Sequence, residues 1–453
     1  MRLTRTQLLA AAALIGAAAG AAHANGRSPA TTGVQFTPGQ TERILVPVTF
    51  GLMVSSDGGE TFHWVCEAAI GYSGTFDPDY AVTTDGDIYA SSQNGLRRSR
   101  DGGCTFETVA ADVLGERPYL SEVELGPDGR LWVGTKNAGA PNDIYVSTDG
   151  DAFVSANLAE ERIWWFSLRT TPADPMRLYV SGFRPVDREA DVPPLAILRR
   201  STDGGESWEE LPVDSFEFGD EPQLLLLGVS PDDPAIVFAR TTKVVDRVGD
   251  VLYRSADGGE TWSEVARFRE PISAFLIRPD GQKVIAATVR ACPEDIDQDG
   301  ADGGVPLHGC VRVSDDGGVS WRRAADQPRL GCVGERSDGM LFGCAANWSP
   351  DNFALGRSAD GERWEQVYRF QDTLGPLECG AETEQARCAV STWPMLCPMA
   401  EACPAAAPDA GPIDEPGDGG GGCCRVGDRT DVSWVPGLAL VLLLLGRRRR
   451  RVG

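Results

Sequence analysis

The sequence predicts an all-β chain folded as a seven-bladed β-propeller, and three observations carry that prediction. An octapeptide of the form Ser-x-Asp-Gly-Gly-x-x-aromatic stands at residues 55–62, 99–106, 201–208, 255–262 and 314–321, with copies one residue shorter at 147–153 and 358–364. Its serines are 44, 48, 54, 54, 59 and 44 residues apart, so one unit of about that length is repeated seven times. A repeat of this period decides the architecture before any other signal. Within each unit short apolar runs alternate with Gly, Pro and Asp turns, and helical periodicity is missing between the two ends of the chain, which is the grammar of strands.

Four strands per unit make a blade, and radial stacking lets each blade cover its neighbour and protect its edges. The blades are expected at 33–70, 71–115, 119–160, 163–215, 221–268, 271–327 and 330–370. A β-solenoid is the alternative, disfavoured because its repeats are usually shorter. In the third unit Pro127-Asp128-Gly129 turns into the strand 130–135, and 143–147 leads into the octapeptide; in the fifth, 231–234 turns into 235–240, and 251–255 leads in. Asp85-Gly86, Asp280-Gly281 and Asp338-Gly339 are the matching turns elsewhere. The octapeptide itself is a hairpin turn. The carboxylates of Asp57, Asp101, Asp149, Asp203, Asp257, Asp316 and Asp360 accept turn N–H groups, the glycines take up positive φ, and the aromatic packs over the hairpin. These residues resemble the Asp-box (BNR) repeat of sialidases, sortilin-type receptors, xyloglucan-cleaving glucanases and photosystem-assembly propellers. The resemblance implies structural boxes on the blade rim, away from the binding site.

The ends of the chain carry addresses. Residues 1–24 have Arg2 and Arg5, an apolar run over 8–22 and the small-x-small sequence Ala22-His23-Ala24, which together form a secretory signal. After a Cys-rich closing segment (371–403), residues 404–422 are a Pro, Ala, Asp and Gly linker too poor in apolar side chains to fold. The tail, 423–453, starts with Cys423-Cys424, continues with a short apolar run over 432–446 and ends in Arg447–Arg451. This order resembles the MYXO-CTERM sorting tail of myxobacterial and related Gram-negative surface proteins. It implies a sorting protease acting near Cys423 or Cys424 and display at the cell surface or outer membrane; a plain C-terminal membrane anchor is the alternative. The net charge of −24 falls to −31 once the signal and tail are removed, which argues against nucleic acid and anionic lipid as partners.

Ten of the twelve cysteines lie in the exported body, as suits an oxidising compartment. The expected local bridges are Cys66–Cys104, Cys292–Cys310 and Cys332–Cys344, with two more among Cys379, Cys388, Cys397 and Cys403. Thiol or zinc chemistry is disfavoured, since the chain has no Cys-x-x-Cys and the mature part keeps only His63 and His308. In a propeller the A–B and C–D turns share one face and the B–C and D–A loops the other. The boxes, as C–D turns, mark the bottom. Long B–C loops are expected at the top of blades 4 (184–195, with Arg184, Asp187, Arg188, Glu189 and Asp191), 5 (241–250) and 6 (290–309), and a protein or polysaccharide ligand is expected over them. Asp295, Asp297 and Asp299, followed by Gly300, match the opening of a calcium loop. Pro306 stands where its bidentate Glu belongs, and a solvated acidic loop is the alternative. Phe183-Arg184-Pro185 is a fragment of the Arg-Ile-Pro-type motif of sialidases but falls in the wrong blade. The expected function is a non-catalytic binding or structural module. The alternative is a carbohydrate-active hydrolase, which needs only two suitably placed carboxylates.

Overall fold

The computed structural model describes residues 28–400, apart from 75, 93, 246, 269 and 290–309. It is a seven-bladed β-propeller in which each blade is built from four consecutive antiparallel strands, with a fifth, parallel strand added to blade 1 from the closing segment. Blade 1 comprises β1 (Gln35–Phe36), β2 (Ile44–Val48), β3 (Gly51–Ser55) and β4 (His63–Val65); blade 2 comprises β5 (Tyr80–Val82), β6 (Ile88–Ser92), β7 (Gly95–Ser99) and β8 (Glu107–Val109). Blade 3 is β9 (Leu120–Leu125), β10 (Leu131–Thr135), β11 (Ile144–Ser147) and β12 (Val154–Ser155); blade 4 is β13 (Trp164–Arg169), β14 (Leu178–Arg184), β15 (Leu195–Ser201) and β16 (Glu209–Glu210). Blade 5 is β17 (Leu224–Val229), β18 (Val237–Val245), β19 (Arg247–Ser255) and β20 (Ser263–Phe268). Blade 6 is β21 (Ala274–Ile277), β22 (Val284–Thr288), β23 (Cys310–Ser314) and β24 (Arg322–Arg323); blade 7 is β25 (Cys332–Glu335), β26 (Leu341–Cys344), β27 (Leu355–Ser358) and β28 (Glu365–Tyr368). Second strands such as β2, β6, β10 and β22 are buried along their whole length, because both faces are covered by neighbouring blades.

Each Ser-x-Asp turn is a closed hydrogen-bond knot. Ser255 Oγ donates to Asp257 Oδ1 (2.8 Å) and accepts from Gly259 N (2.8 Å), while Asp257 accepts from Thr261 N (2.9 Å) and Thr261 Oγ1 (2.6 Å). The shortened turns tie the same knot one residue earlier, with Gly150 N on Ser147 and Gly361 N on Ser358. Because Ser255 is buried, Ser255→Ala strands the Gly259 N–H and is expected to cost about 1–3 kcal/mol, read as a shift in the denaturation midpoint.

The turns also join blades. An arginine of the preceding blade donates to a turn carbonyl: Arg98 to Gly150 O (3.2 Å), Arg130 to Gly204 O (3.2 Å), Arg200 to Gly258 O (2.8 Å) and Arg254 to Gly317 O (2.7 Å). Arg278 reaches Ala359 O (3.0 Å) and Arg336 reaches Gly58 O (3.3 Å) in the same way. Arg43 crosses from blade 1 to Gly86 O of blade 2 (2.7 Å). The arginine precedes the turn serine in blades 2, 4 and 5; in blades 1, 3 and 6 that place is Val54, Val146 or Val313, and the arginine comes from near the A–B turn. A turn glycine lies against the same neighbour. A Cβ on Gly318 would sit 2.4 Å from the Phe238 ring, and on Gly361 2.5 Å from Ile285. Blades therefore approach at distances that only glycine permits.

The closing segment is laid onto blade 1. From β28 it runs back over blade 1, where β29 (Gly375–Pro376) pairs parallel to β4, and continues into α1 (Glu384–Ser391). Cys66 is bonded to Cys388 and Cys104 to Cys379. This corrects both the expected Cys66–Cys104 bridge and the expectation that Cys379 and Cys388 pair within their own segment. The segment lies along the outer edge of blade 1 and so brings its cysteines to blades 1 and 2. Cys332–Cys344 joins directly opposed residues of β25 and β26. Cys310 and Cys397 are also disulfide-bonded, whereas Cys292 and Cys403 lie outside the described residues. So do the signal, linker and tail, with Cys423 and Cys424, and the loop carrying Asp295, Asp297 and Asp299.

A two-residue turn joins β2 to β3. Gly51 has φ +135°, and a Cβ there would lie 2.1 Å from Val65 O and 2.9 Å from Trp64 Nε1. Gly51→Ala is expected to cost about 3 kcal/mol, measured by equilibrium unfolding.

Candidate functional site

The inner strands leave one edge facing the propeller axis, where backbone N–H groups lack a strand partner. Side chains of the preceding blade take them up. Asp79 accepts from Val123 N (2.9 Å), Glu122 from Leu168 N (2.7 Å), Glu124 from Thr170 N (2.9 Å) and Ser167 from Leu226 N (2.9 Å). Acidic residues on β9 and before β5 are thus drawn inward by unpaired donors. They line a cavity of about 880 Å3 together with Gln35, Thr37, Tyr80, Arg169 and Glu335. Its lining extends to the A–B turns at Pro38, Pro172 and Ser337, on the face that carries the Ser-x-Asp turns.

Arg169, at the end of β13, is the cation of this cluster. It is ion-paired with Glu122 and, at 3.2 Å, with Glu124, and its Nε donates to Leu227 O (3.3 Å). Burial pushes the Glu124 carboxyl up to about 7, with Arg169 opposing and Glu122 adding to the rise. Burial likewise raises Asp79 to about 7, reinforced by repulsion from Glu122. Desolvation works against the charge of Arg169, but Glu122 and Glu124 more than offset it and raise its pKa. The cluster therefore offers a carboxyl that holds its proton near neutrality beside an arginine-paired carboxylate, the two ingredients of general acid and base work. Among the described residues, no group of three or more His, Cys, Asp or Glu has the arrangement of a metal site.

At the top of the axis stand aromatic side chains. Tyr119, just ahead of β9, is 56% exposed, meets Phe76 edge to face at 6.4 Å and lies 5.4 Å below the Lys136 ammonium. Burial lowers the pKa of Lys136, while Glu122 and Asp79 oppose the fall, so the rim and the axial acids sense one another. Trp164 and Phe166, on β13, pack against Phe183 of β14, at 6.2 and 6.0 Å.

The sequence-predicted residues fall elsewhere. Asp187 caps its own loop, accepting from Glu189 N (2.9 Å) and Ala190 N (3.1 Å), and is ion-paired with Arg162. Residues 241–250 are not a loop: β18 and β19 pair as far as Val245 and Arg247. Asp250 is buried there, accepting from Thr242 Oγ1 (2.8 Å) and Ile272 N (2.7 Å). Asp79, Glu122, Glu124 and Arg169 escaped sequence reading, since no motif surrounds them. The usable signal was Glu122-Val-Glu124 alternating on a first strand that carries no charged residue in blades 1, 2, 5 and 6.

An acid-lined axis within a seven-bladed propeller is the class of protein that the fold and site define. The chain is similar to xyloglucanase Xgh74A of Acetivibrio thermocellus, with 31% identity over 196 residues, covering 39% of this chain and 22% of the relative. It thus spans about a fifth of that relative's length. Among solved structures it is similar to the GH74 xyloglucanase from Xanthomonas campestris, with 16% identity, 77% and 67% of the two chains covered and a TM-score of 0.40. Another is YCF48 from Cyanidioschyzon merolae, with 13% identity, 70% and 92% covered and a TM-score of 0.41. No family model matches the chain.

Proposed function

We propose that this is an exported, surface-displayed Asp-box propeller that acts on a neutral polysaccharide, bound over the aromatic rim and hydrolysed with the help of the axial carboxyls. The observation that carries this reading is the 31% identity over 196 residues to a xyloglucanase. It favours the carbohydrate-active alternative over the expected non-catalytic module. In this proposal Tyr119 and its aromatic neighbours stack on pyranose faces. Glu124 supplies a proton to the leaving oxygen, and Glu122, held by Arg169, takes a proton from the water that attacks the anomeric carbon. Export follows the N-terminal signal and display follows the tail; Asp295, Asp297 and Asp299 would hold a calcium ion.

The full mature protein, incubated with xyloglucan and related β-glucans, is expected to release reducing ends. Glu124→Gln should lower that rate by at least about 100-fold while the circular-dichroism spectrum is retained. Tyr119→Ala should weaken polysaccharide binding by about tenfold. One observation favours a second reading: Asp79, Glu122 and Glu124 each already accept a backbone N–H of the next blade, so these acids have a structural use without catalysis. Tight binding with no reducing ends released would establish a non-catalytic glycan-recognition module instead.

A further inference from the structure

Six of the seven seams between blades are crossed by the chain itself, which leaves the outer strand of one blade to enter the inner strand of the next. At the seam between blades 7 and 1 no outer strand leads into an inner one; after β28 the chain instead returns to the outer edge of blade 1 as β29. Side chains do meet across it. Phe36 lies 5.4 Å from Phe342, Phe62 lies 4.4 Å from Tyr368, and Arg336 donates to Thr41 O at 2.9 Å. Such contacts resemble those of the other seams, but no outer-to-inner strand connection joins these two blades.

The segment after β28 supplies what is missing. Phe370 packs on Phe50 of blade 1 at 5.3 Å, Leu374 N donates to Phe62 O at 3.1 Å, and β29 extends the sheet of blade 1 beyond β4. The buried Gln385 then takes the place of a further strand, accepting from Cys66 N (2.9 Å) and donating to Trp64 O (2.7 Å). Cys388 is bonded to Cys66 across 322 residues of sequence and Cys379 to Cys104 across 275. Cross-links over loops this long remove the most freedom from the opened chain.

We infer that residues 369–397 are a latch that closes the ring covalently, fastening blade 7 to blades 1 and 2 through two disulfides, so that closure depends on an oxidising environment. On reduction each disulfide takes two electrons and two protons from a dithiol, which itself becomes a cyclic disulfide, and yields two cysteine thiols. The seam then opens locally while the remaining blades stay stacked, because their chain connections are intact.

The test is hydrogen–deuterium exchange on the whole protein before and after dithiothreitol, with thiol release followed by mass spectrometry. Amides of β1–β4 and β25–β28 are expected to exchange at least about tenfold faster after reduction, while β9–β20 keep their rates, and the melting temperature is expected to fall by about 10 °C. Cys332→Ser with Cys344→Ser, which leaves the latch whole, should not accelerate the seam in the absence of reductant. Equal acceleration in all blades, or an unchanged seam once both latch disulfides are reduced, overturns the inference. Should Cys379→Ser with Cys388→Ser fail to fold, titration of the native protein with reductant still decides the question.

Discussion

Replacing Arg169 by methionine is expected to destabilise the protein by about 3 kcal/mol at pH 8. Methionine keeps the hydrophobic stem of the side chain but leaves Glu122 and Glu124, two residues apart on β9, without their shared cation. Both carboxyls are mostly buried, so water replaces the lost partner poorly. The two acids can recover by taking up protons, and the penalty should therefore shrink at pH 5. Equilibrium unfolding of Arg169→Met at the two pH values measures this difference directly. An equal loss at both would mean that the guanidinium acts by packing and not by charge. Arg169→Lys should fall between, since an ammonium restores the charge but cannot reach Glu122, Glu124 and Leu227 O at once.

Stability is expected to peak between about pH 4 and 5 and to decline toward neutrality, which is unusual for a globular protein. Two groups of carboxyls pull in opposite directions. Hydroxyl and amide donors of the turns, led by Ser207 and Ser320, hold Asp203 and Asp316 down at about 2. A depressed carboxyl stabilises the fold above its unfolded value near 4, and that contribution is lost as pH falls toward 2. Burial raises Asp79 and Glu124 to about 7. Their sign is reversed: the folded state binds the proton more tightly, so their contribution is whole below about 4 and is lost as pH rises to about 7. Thermal melts across this range should show the maximum, and Asp79→Asn with Glu124→Gln should flatten the decline between about pH 4 and 7. An unchanged decline in the double variant would assign it to other groups, the overall negative charge first.

The blade count, the strand rhythm and the placement of the turns were legible because each depends on residues close together in the chain. Ser255, Asp257 and Gly259 make their bonds within five residues, and any unit with the same letters makes the same knot. The bridge between Cys332 and Cys344 was legible for the same reason. Its partners are opposed across one hairpin. The pairing of Cys66 with Cys388 was not, because it depends on where a segment three hundred residues later is laid down. The extended hairpin of β18 and β19 reads as a loop in the sequence because Asp250 and Arg240, which look solvent-directed there, satisfy one another in its interior.

Local repetition along the chain therefore determined the architecture and told which face the turns mark. The joints between blades, the acidic axis and the closure of the ring came only with the tertiary structure. Each depends on a donor and acceptor from different units: Arg254 for Gly317 O, the Val123 N–H for Asp79, Cys388 for Cys66. Within one unit those groups are ordinary surface residues. Stacking brings them into register, and no local pattern records which neighbour each will meet.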